Sequence, residues 1–153
     1  MERDRELSEN VSNAAGDVPG SLAGMKVLAV EDNELNLEIV TEVLRERGLV
    51  VTSAENGQIA VELFSNSPPG TFDVILMDVH MPVMSGVEAT KRIRAMEHSD
   101  AQTIPILALT ANDFEEDIRL TKEAGMNDHL TKPFDMDKIF AALAVYAGND
   151  KNK

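Results

Sequence analysis

The stretch VILMDVHMPVMSG, Val74 to Gly86, decides how the rest of the chain is read. Four apolar residues, Val74 to Met77, run without a polar interruption, end in Asp78, and give way within four residues to Pro82. The run reads as a strand buried on both faces, the kind found in the middle of a parallel sheet. Its last residue is a carboxylate delivered to the rim of that sheet, immediately before a sharp turn.

Outward from this strand the same unit recurs. KVLAV (Lys26 to Val30) precedes Leu37, Val40, Val43 and Leu44 at helical spacing, closed by Gly48, where a helix C-terminus favours a residue tolerating positive φ. VVTSA precedes a helix carrying Ala60, Leu63 and Phe64, and DVILM precedes one from Ser85 to Met96. IPILAL leads to a helix from Asp113 to Ala124, and DHLT to one carrying Met136, Ile139, Phe140, Leu143 and Ala147. Five strand–helix repeats imply an α/β fold with a parallel sheet covered by helices on both faces, because parallel strands need crossover connections.

Composition narrows the class. The 153 residues suffice for one domain with a full core, and the net charge of −13, from 14 Lys plus Arg against 27 Asp plus Glu, repels nucleic-acid phosphates and anionic lipid. With no cysteine, disulfides, thiolate catalysis and cysteine-based zinc sites are excluded. No apolar run approaches the roughly 18 residues of a membrane span, and the acidic start at Glu2, Asp4 and Glu6 is unlike a signal peptide. The expected address is the cytoplasm, without membrane insertion. Residues 1–24, sparse in large aliphatics, are expected to form a flexible leader or linker, 25–148 the folded domain, and 149–153 a disordered tail.

In open parallel sheets the chemistry gathers beyond the carboxyl ends of the strands. There stand Glu31 and Asp32 after the first strand, Asp78 after the third, Thr110 after the fourth, and Lys132 and Pro133 after the fifth. Carboxylates gathered on one edge repel unless a cation sits among them, and a hard divalent ion with oxygen ligands, most simply Mg²⁺, suits that set.

VEDNELN, ILMDVHMPVMSGVEATKRIR, ALTAN and GMNDHLTKPF together resemble the receiver domain of two-component response regulators, most of all the receivers attached to hybrid histidine kinases. The resemblance covers about Met25 to Ala147. The acid pair, Asp, Thr and Lys-Pro each fall in order at their own strand end. It implies a flavodoxin-like (βα)5 three-layer sandwich with strand order 2-1-3-4-5. It also implies a phosphoryl group passed from a phosphohistidine to Asp78, which answers why a buried strand should end in a carboxylate. By the same resemblance Asp32, Asp78 and the backbone carbonyl of His80 ligate Mg²⁺, with Glu31 acting through water. Lys132, the hydroxyl of Thr110 and the backbone N–H of Ala111 hold the phosphoryl oxygens. Pro82, Gly86 and Pro133 shape the loops. Thr110 and His129 form the switch, although a His at position 129 departs from the family's commoner Tyr or Phe. The implied partners are a sensor histidine kinase or a histidine phosphotransfer domain, and a homodimer on phosphorylation is compatible with the family. Enzymatic activity is expected to be limited to slow self-phosphorylation and self-dephosphorylation.

Blander readings exist for each residue. Glu31 and Asp32 could cap the first helix, and Asp78 could close a turn, although an ionised group at the end of an apolar strand is costly to idle there. Met77, Met81 and Met84 fit packing and loop roles, and Lys91, Arg92 and Arg94 a solvated basic face. His80 and His129 lack the partners of a zinc site. Among other functions, a haloacid-dehalogenase-type aspartate phosphatase would need an acid where His80 stands. A flavodoxin-like cofactor binder would need a phosphate loop where Glu31 and Asp32 repel phosphate. A degenerate receiver acting only as an interaction module is opposed by the complete pocket. The chain ends at Lys153 soon after its fifth helix, so its output is expected to be a phosphoryl relay or a surface rather than an attached effector domain.

Overall fold

The computed structural model describes residues 22–110, 115–131 and 135–151, with the side chains of 115–117 and 147–151 outside that description. Along the chain run β1 (Lys26–Val30), α1 (Glu34–Glu46), β2 (Val50–Ala54), α2 (Gly57–Ser65), β3 (Val74–Asp78), α3 (Gly86–Arg94), β4 (Ile106–Thr110), α4 (Glu115–Ala124), β5 (Asp128–Thr131) and α5 (Met136–Lys151). The sheet is parallel throughout, in the order β2-β1-β3-β4-β5. The chain therefore moves outward from β1 to β2 and then crosses back to β3. The direction reverses between β1 and β3, and this switch point opens a crevice beyond the strand ends.

Side-chain alternation divides the interior into two layers. Val27, Ala29, Leu76, Leu107 and Leu109 face α1 and α5 through Val40, Leu44, Ile139 and Leu143. Their neighbours Leu28, Val30, Ile75, Met77 and Ala108 face α2 and α3 through Ala60, Phe64, Ala89 and Ile93. β3 and β4 are buried along their whole length, which accounts for their unbroken apolar runs. The N-terminal turns of three helices are satisfied by side-chain caps: Asn33 accepts from Asn36 N–H, Asn56 from Ile59 N–H, and Ser85 from Glu88 N–H. Gly48 has φ +90° just after α1, as its place at a helix end requires.

Several boundaries differ from the sequence reading. α3 begins at Gly86 because Ser85 is spent as its cap. β4 begins at Ile106 rather than Ile104, since Pro105 has no N–H for the ladder, although its carbonyl accepts from Ile75. α4 is described from Glu115, and Asp113 lies outside the described residues. Leu22 is fully buried in the α1/α5 layer and accepts from Met25 N–H through its carbonyl, so packing reaches three residues ahead of Met25. α5 continues to Lys151, beyond residue 148. Among the described residues no helix is long and apolar enough to cross a membrane.

Candidate functional site

The crevice at the switch point holds the acidic residues. β1 and β3 pair in register with Val30 opposite Met77, so one further step brings Glu31 alongside Asp78. Glu31 and Asp78 are each 2% exposed, whereas Asp32 is open to solvent. One carboxylate oxygen from each of Glu31, Asp32 and Asp78 lies within 4.8 Å of the other two. Two oxygens on one Mg²⁺ at about 2.1 Å stand roughly 3 Å apart when adjacent and roughly 4 Å apart when opposite, so small side-chain movements would bring this set onto one ion. The acidic cluster can hold a metal. Capping of α1 falls to Asn33, so neither Glu31 nor Asp32 is needed for it. Glu31 Oε2 instead accepts from Asn33 N–H at 2.9 Å, which ties its carboxylate to the start of the helix.

Asp78 sits where three pieces of backbone converge. Its Oδ1 accepts from His80 N–H at 3.3 Å, and Val79 N–H is donated to Leu109 O at 2.9 Å. The loop from Val79 to Ser85 closes when Gly86 donates its N–H to Val79 O at 2.9 Å. This closure sets the start of α3 directly under the end of β3. A Cβ on Gly86 would stand 2.0 Å from Asp78 O and 2.9 Å from Met77 Cγ. Gly57 is fitted in the same way at the start of α2, where a Cβ would meet Met84 O at 2.6 Å. His80 is exposed beside the cluster, and Pro82 is exposed on the loop.

Thr110 ends β4 next to the end of β3 and is 1% exposed. Ala111, Lys132 and Pro133 lie outside the described residues, so that part of the site stays at the level of sequence. His129, half-buried on β5, pairs in register with Ala108, and its Nε2 meets the Thr121 hydroxyl of α4. Thr121 Oγ1 in turn donates to Ile118 O at 2.9 Å. A hydroxyl has one proton, so with that proton on Ile118 the contact requires Nε2 to carry its own. No local sequence pattern announces this pairing, because the two residues belong to different elements.

Partial burial lowers the affinity of His129 for a second proton; Asp128 opposes the shift and Lys122 adds to it. A group whose proton affinity falls on folding takes up protons more readily when unfolded, so its contribution to stability is complete above the ordinary value of 6.5 and fades as the pH falls below it. Acidification from neutral pH is therefore expected to destabilise wild type more than His129→Gln. Urea midpoints measured on both sides of that value check it, and equal losses in the two proteins would contradict it.

The sequence places Arg94 on a solvated basic face, and the structure corrects this. Its guanidinium donates to Gly125 O at 3.1 and 2.8 Å, to Ala101 O at 2.9 Å and to Asn127 Oδ1 at 3.0 Å. Burial lowers its pKa, and these acceptors are neutral, so it acts as a knot holding the end of α3 to the α4–β5 turn. Lys91 and Arg92 are solvated, with Arg92 paired to Glu88.

A parallel five-stranded sheet in this order, with an acidic crevice at its switch point, defines the class. The response regulator receiver domain model matches residues 27–144, and the chain belongs to that family. It is 35% identical over 141 residues to hybrid signal transduction histidine kinase I of Dictyostelium discoideum, covering 90% of this chain and 8% of that protein. Of three such kinase relatives the chain spans between 5% and 14% of the length, so it corresponds to a small part of each. Among solved structures it is similar to the receiver domain of sensor histidine kinase PA1611 from Pseudomonas aeruginosa. The identity is 39% and the TM-score 0.74, over 82% of this chain and 99% of that one, and that structure has a magnesium ion coordinated in its active-site cleft. It is also similar to the receiver domain of Ssk1, solved with the histidine phosphotransfer protein Ypd1 from Saccharomyces cerevisiae, at 36% identity and TM-score 0.69, over 77% of this chain and 85% of that one. The chain is thus a receiver domain of two-component signalling, a signalling module related to the receivers of hybrid kinases.

Proposed function

We propose that this receiver accepts a phosphoryl group on Asp78 from a phosphohistidine, with Mg²⁺ as cofactor. The observation that carries this reading is the gathering of Glu31, Asp32 and Asp78 within 4.8 Å at the switch point, with Asp78 on the end of a fully buried strand. A carboxylate oxygen of Asp78 attacks phosphorus, a P–O bond forms as the P–N bond breaks, and the imidazole nitrogen keeps the electron pair and is then protonated. β3 and the closed loop after it hold the attacking group in place, which supports transfer through a loose transition state that depends mainly on positioning and charge. Asp32, Asp78 and the His80 carbonyl would hold the ion, and Glu31 would act through water. Bound there, Mg²⁺ supplies neutralisation of the charge on the incoming phosphoryl oxygens. Thr110 and Lys132 would receive those oxygens, with the N–H of Ala111 beside them, and Thr110 with His129 would pass the change to α4.

The donor is a histidine phosphotransfer domain or a sensor kinase, in keeping with the likeness to the Ssk1 receiver and to hybrid kinases. The fold, the lack of an acid at position 80 and the family membership leave little to favour the aspartate-phosphatase or cofactor-binding readings. Asp32→Asn tests the metal set, because it removes one ligand charge without touching the buried pair. Its Mg²⁺ affinity is expected to fall about tenfold or more, while the metal-free protein is as stable as wild type or slightly more so, since one like charge has gone. Calorimetric titration with Mg²⁺ provides the check, and an unchanged affinity would count against the proposed ligand set.

A further inference from the structure

β2 is an outer strand of the sheet, with β1 as its single neighbour among the described residues. Val50 donates its N–H to Met25 O at 2.9 Å and Ala54 O accepts from Glu31 N–H at 3.1 Å, so residues 50, 52 and 54 turn their backbone groups towards β1. Val51 and Ser53 therefore turn theirs outward. Arg45 of α1 donates from Nη2 to Val51 O at 2.9 Å, which covers one of the outward carbonyls. Ser53 is exposed, and VVTSA holds a regular register without the charges, prolines or bulges that usually blunt a free edge.

Beside this edge a groove of about 540 Å³ runs between α1 and β2, its walls including Glu34, Glu38, Thr41, Glu42, Arg45 and Ser53. Glu34, Glu38 and Glu42 stand four residues apart and are exposed, and none of them is in an ion pair among the described residues. Like charges at this spacing weaken a helix, so the row serves α1 poorly. Thr41 lines the same groove and is 8% exposed. Its hydroxyl has no hydrogen-bond partner among the described residues, although a mid-helix Thr commonly donates to the carbonyl four residues back. A buried hydroxyl without a partner, a row of unanswered carboxylates and outward-facing backbone groups thus share one place.

We propose that the α1–β2 groove binds an extended, basic segment of another protein, which adds a strand to the free edge of β2 and sets Lys or Arg side chains against Glu38 and Glu42. Side chains alternate along a strand, and those level with Val51 and Ser53 point towards α1, so basic residues two apart enter the groove together. An ammonium there can donate to the Thr41 hydroxyl as well as to the carboxylates. A second copy of this chain suits the groove poorly, because pairing two β2 edges would bring two rows of glutamates together on molecules that each carry a charge of −13. β1 separates this edge from the strand that carries Asp78, and the proposal does not depend on the phosphoacceptor role.

The test probe is a fluorescent peptide of alternating Lys and Val, titrated with the whole chain at about 0.15 M salt and followed by anisotropy. Glu38→Gln with Glu42→Gln removes two carboxylates from the groove. Glu62→Gln with Glu97→Gln removes two exposed carboxylates elsewhere and matches the first pair in net charge. A third titration uses wild type and the same peptide N-methylated throughout, which keeps its charge but cannot donate to a strand edge. Wild type is expected to bind the probe, the groove pair to bind it about fivefold more weakly or worse, and the matched pair to stay within about twofold of wild type. The N-methylated peptide is expected to lose at least about fivefold as well. Absence of binding to wild type, equal weakening by the two glutamate pairs, or full affinity for the N-methylated peptide overturns the proposal.

Discussion

Asp78→Asn is expected to gain no phosphoryl group from a small phosphodonor with Mg²⁺, under conditions in which wild type gains one. The loss follows from the chemistry of the group: a carboxamide lacks the anionic oxygen that attacks phosphorus, and a decrease of at least about a thousandfold is expected. The fold should survive. Asn keeps the shape of Asp and an Oδ1 able to accept the 3.3 Å bond from His80 N–H, and it removes one of three charges crowded within 4.8 Å. A thermal midpoint equal to or above that of wild type, together with absent phosphorylation by intact mass, is the expected pair of results. Phosphorylation of the variant at the wild-type rate would place the acceptor elsewhere.

Gly86→Ala is expected to damage the fold and the site together. Ala is the better helix former by about 1 kcal/mol, so helix propensity alone favours the substitution. Sterics oppose it more strongly, because the new methyl would stand 2.0 Å from Asp78 O, a contact that no side-chain rotation relieves. Either α3 or the end of β3 must move, and the inner face of α3 and all of β3 are buried. Overpacking against backbone places the net loss at about 3 kcal/mol or more, a fall of about 10 °C in melting temperature for a domain of this size. Asp78 belongs to the strand end that is pushed, so phosphorylation should slow even in the fraction that stays folded. Calorimetric melting with a parallel phosphorylation time course checks both halves. A variant that melts with wild type would show that this close approach carries no weight.

The sheet was legible because its signals are local. Val74 to Met77 and Lys26 to Val30 spell buried strands by composition alone, and the glycine at 48 stands where its +90° φ is needed. The acid pocket was legible for a related reason: the rim of a parallel sheet collects whatever ends each strand, so order along the chain becomes proximity in space. What escaped were contacts between elements. Nothing around His129 points to Thr121, and nothing around Arg94 foretells the carbonyls of Ala101 and Gly125, which turn an expected surface cation into a half-buried knot. Gly86 was legible as a loop residue, yet its closeness to Asp78 appears only once α3 is docked. Val83 is the clearest departure, since local preference argues against positive φ for a β-branched residue.

The role of Asp78 as phosphoacceptor is tested most directly by the intact mass of wild type after exposure to a small phosphodonor with and without Mg²⁺, followed by peptide sequencing of the product. The expected product carries a single phosphoryl addition that requires Mg²⁺ and maps to Asp78 in the peptide containing Val74 to Gly86. An addition at any other residue, or one that forms equally well in the presence of a chelator, would contradict it.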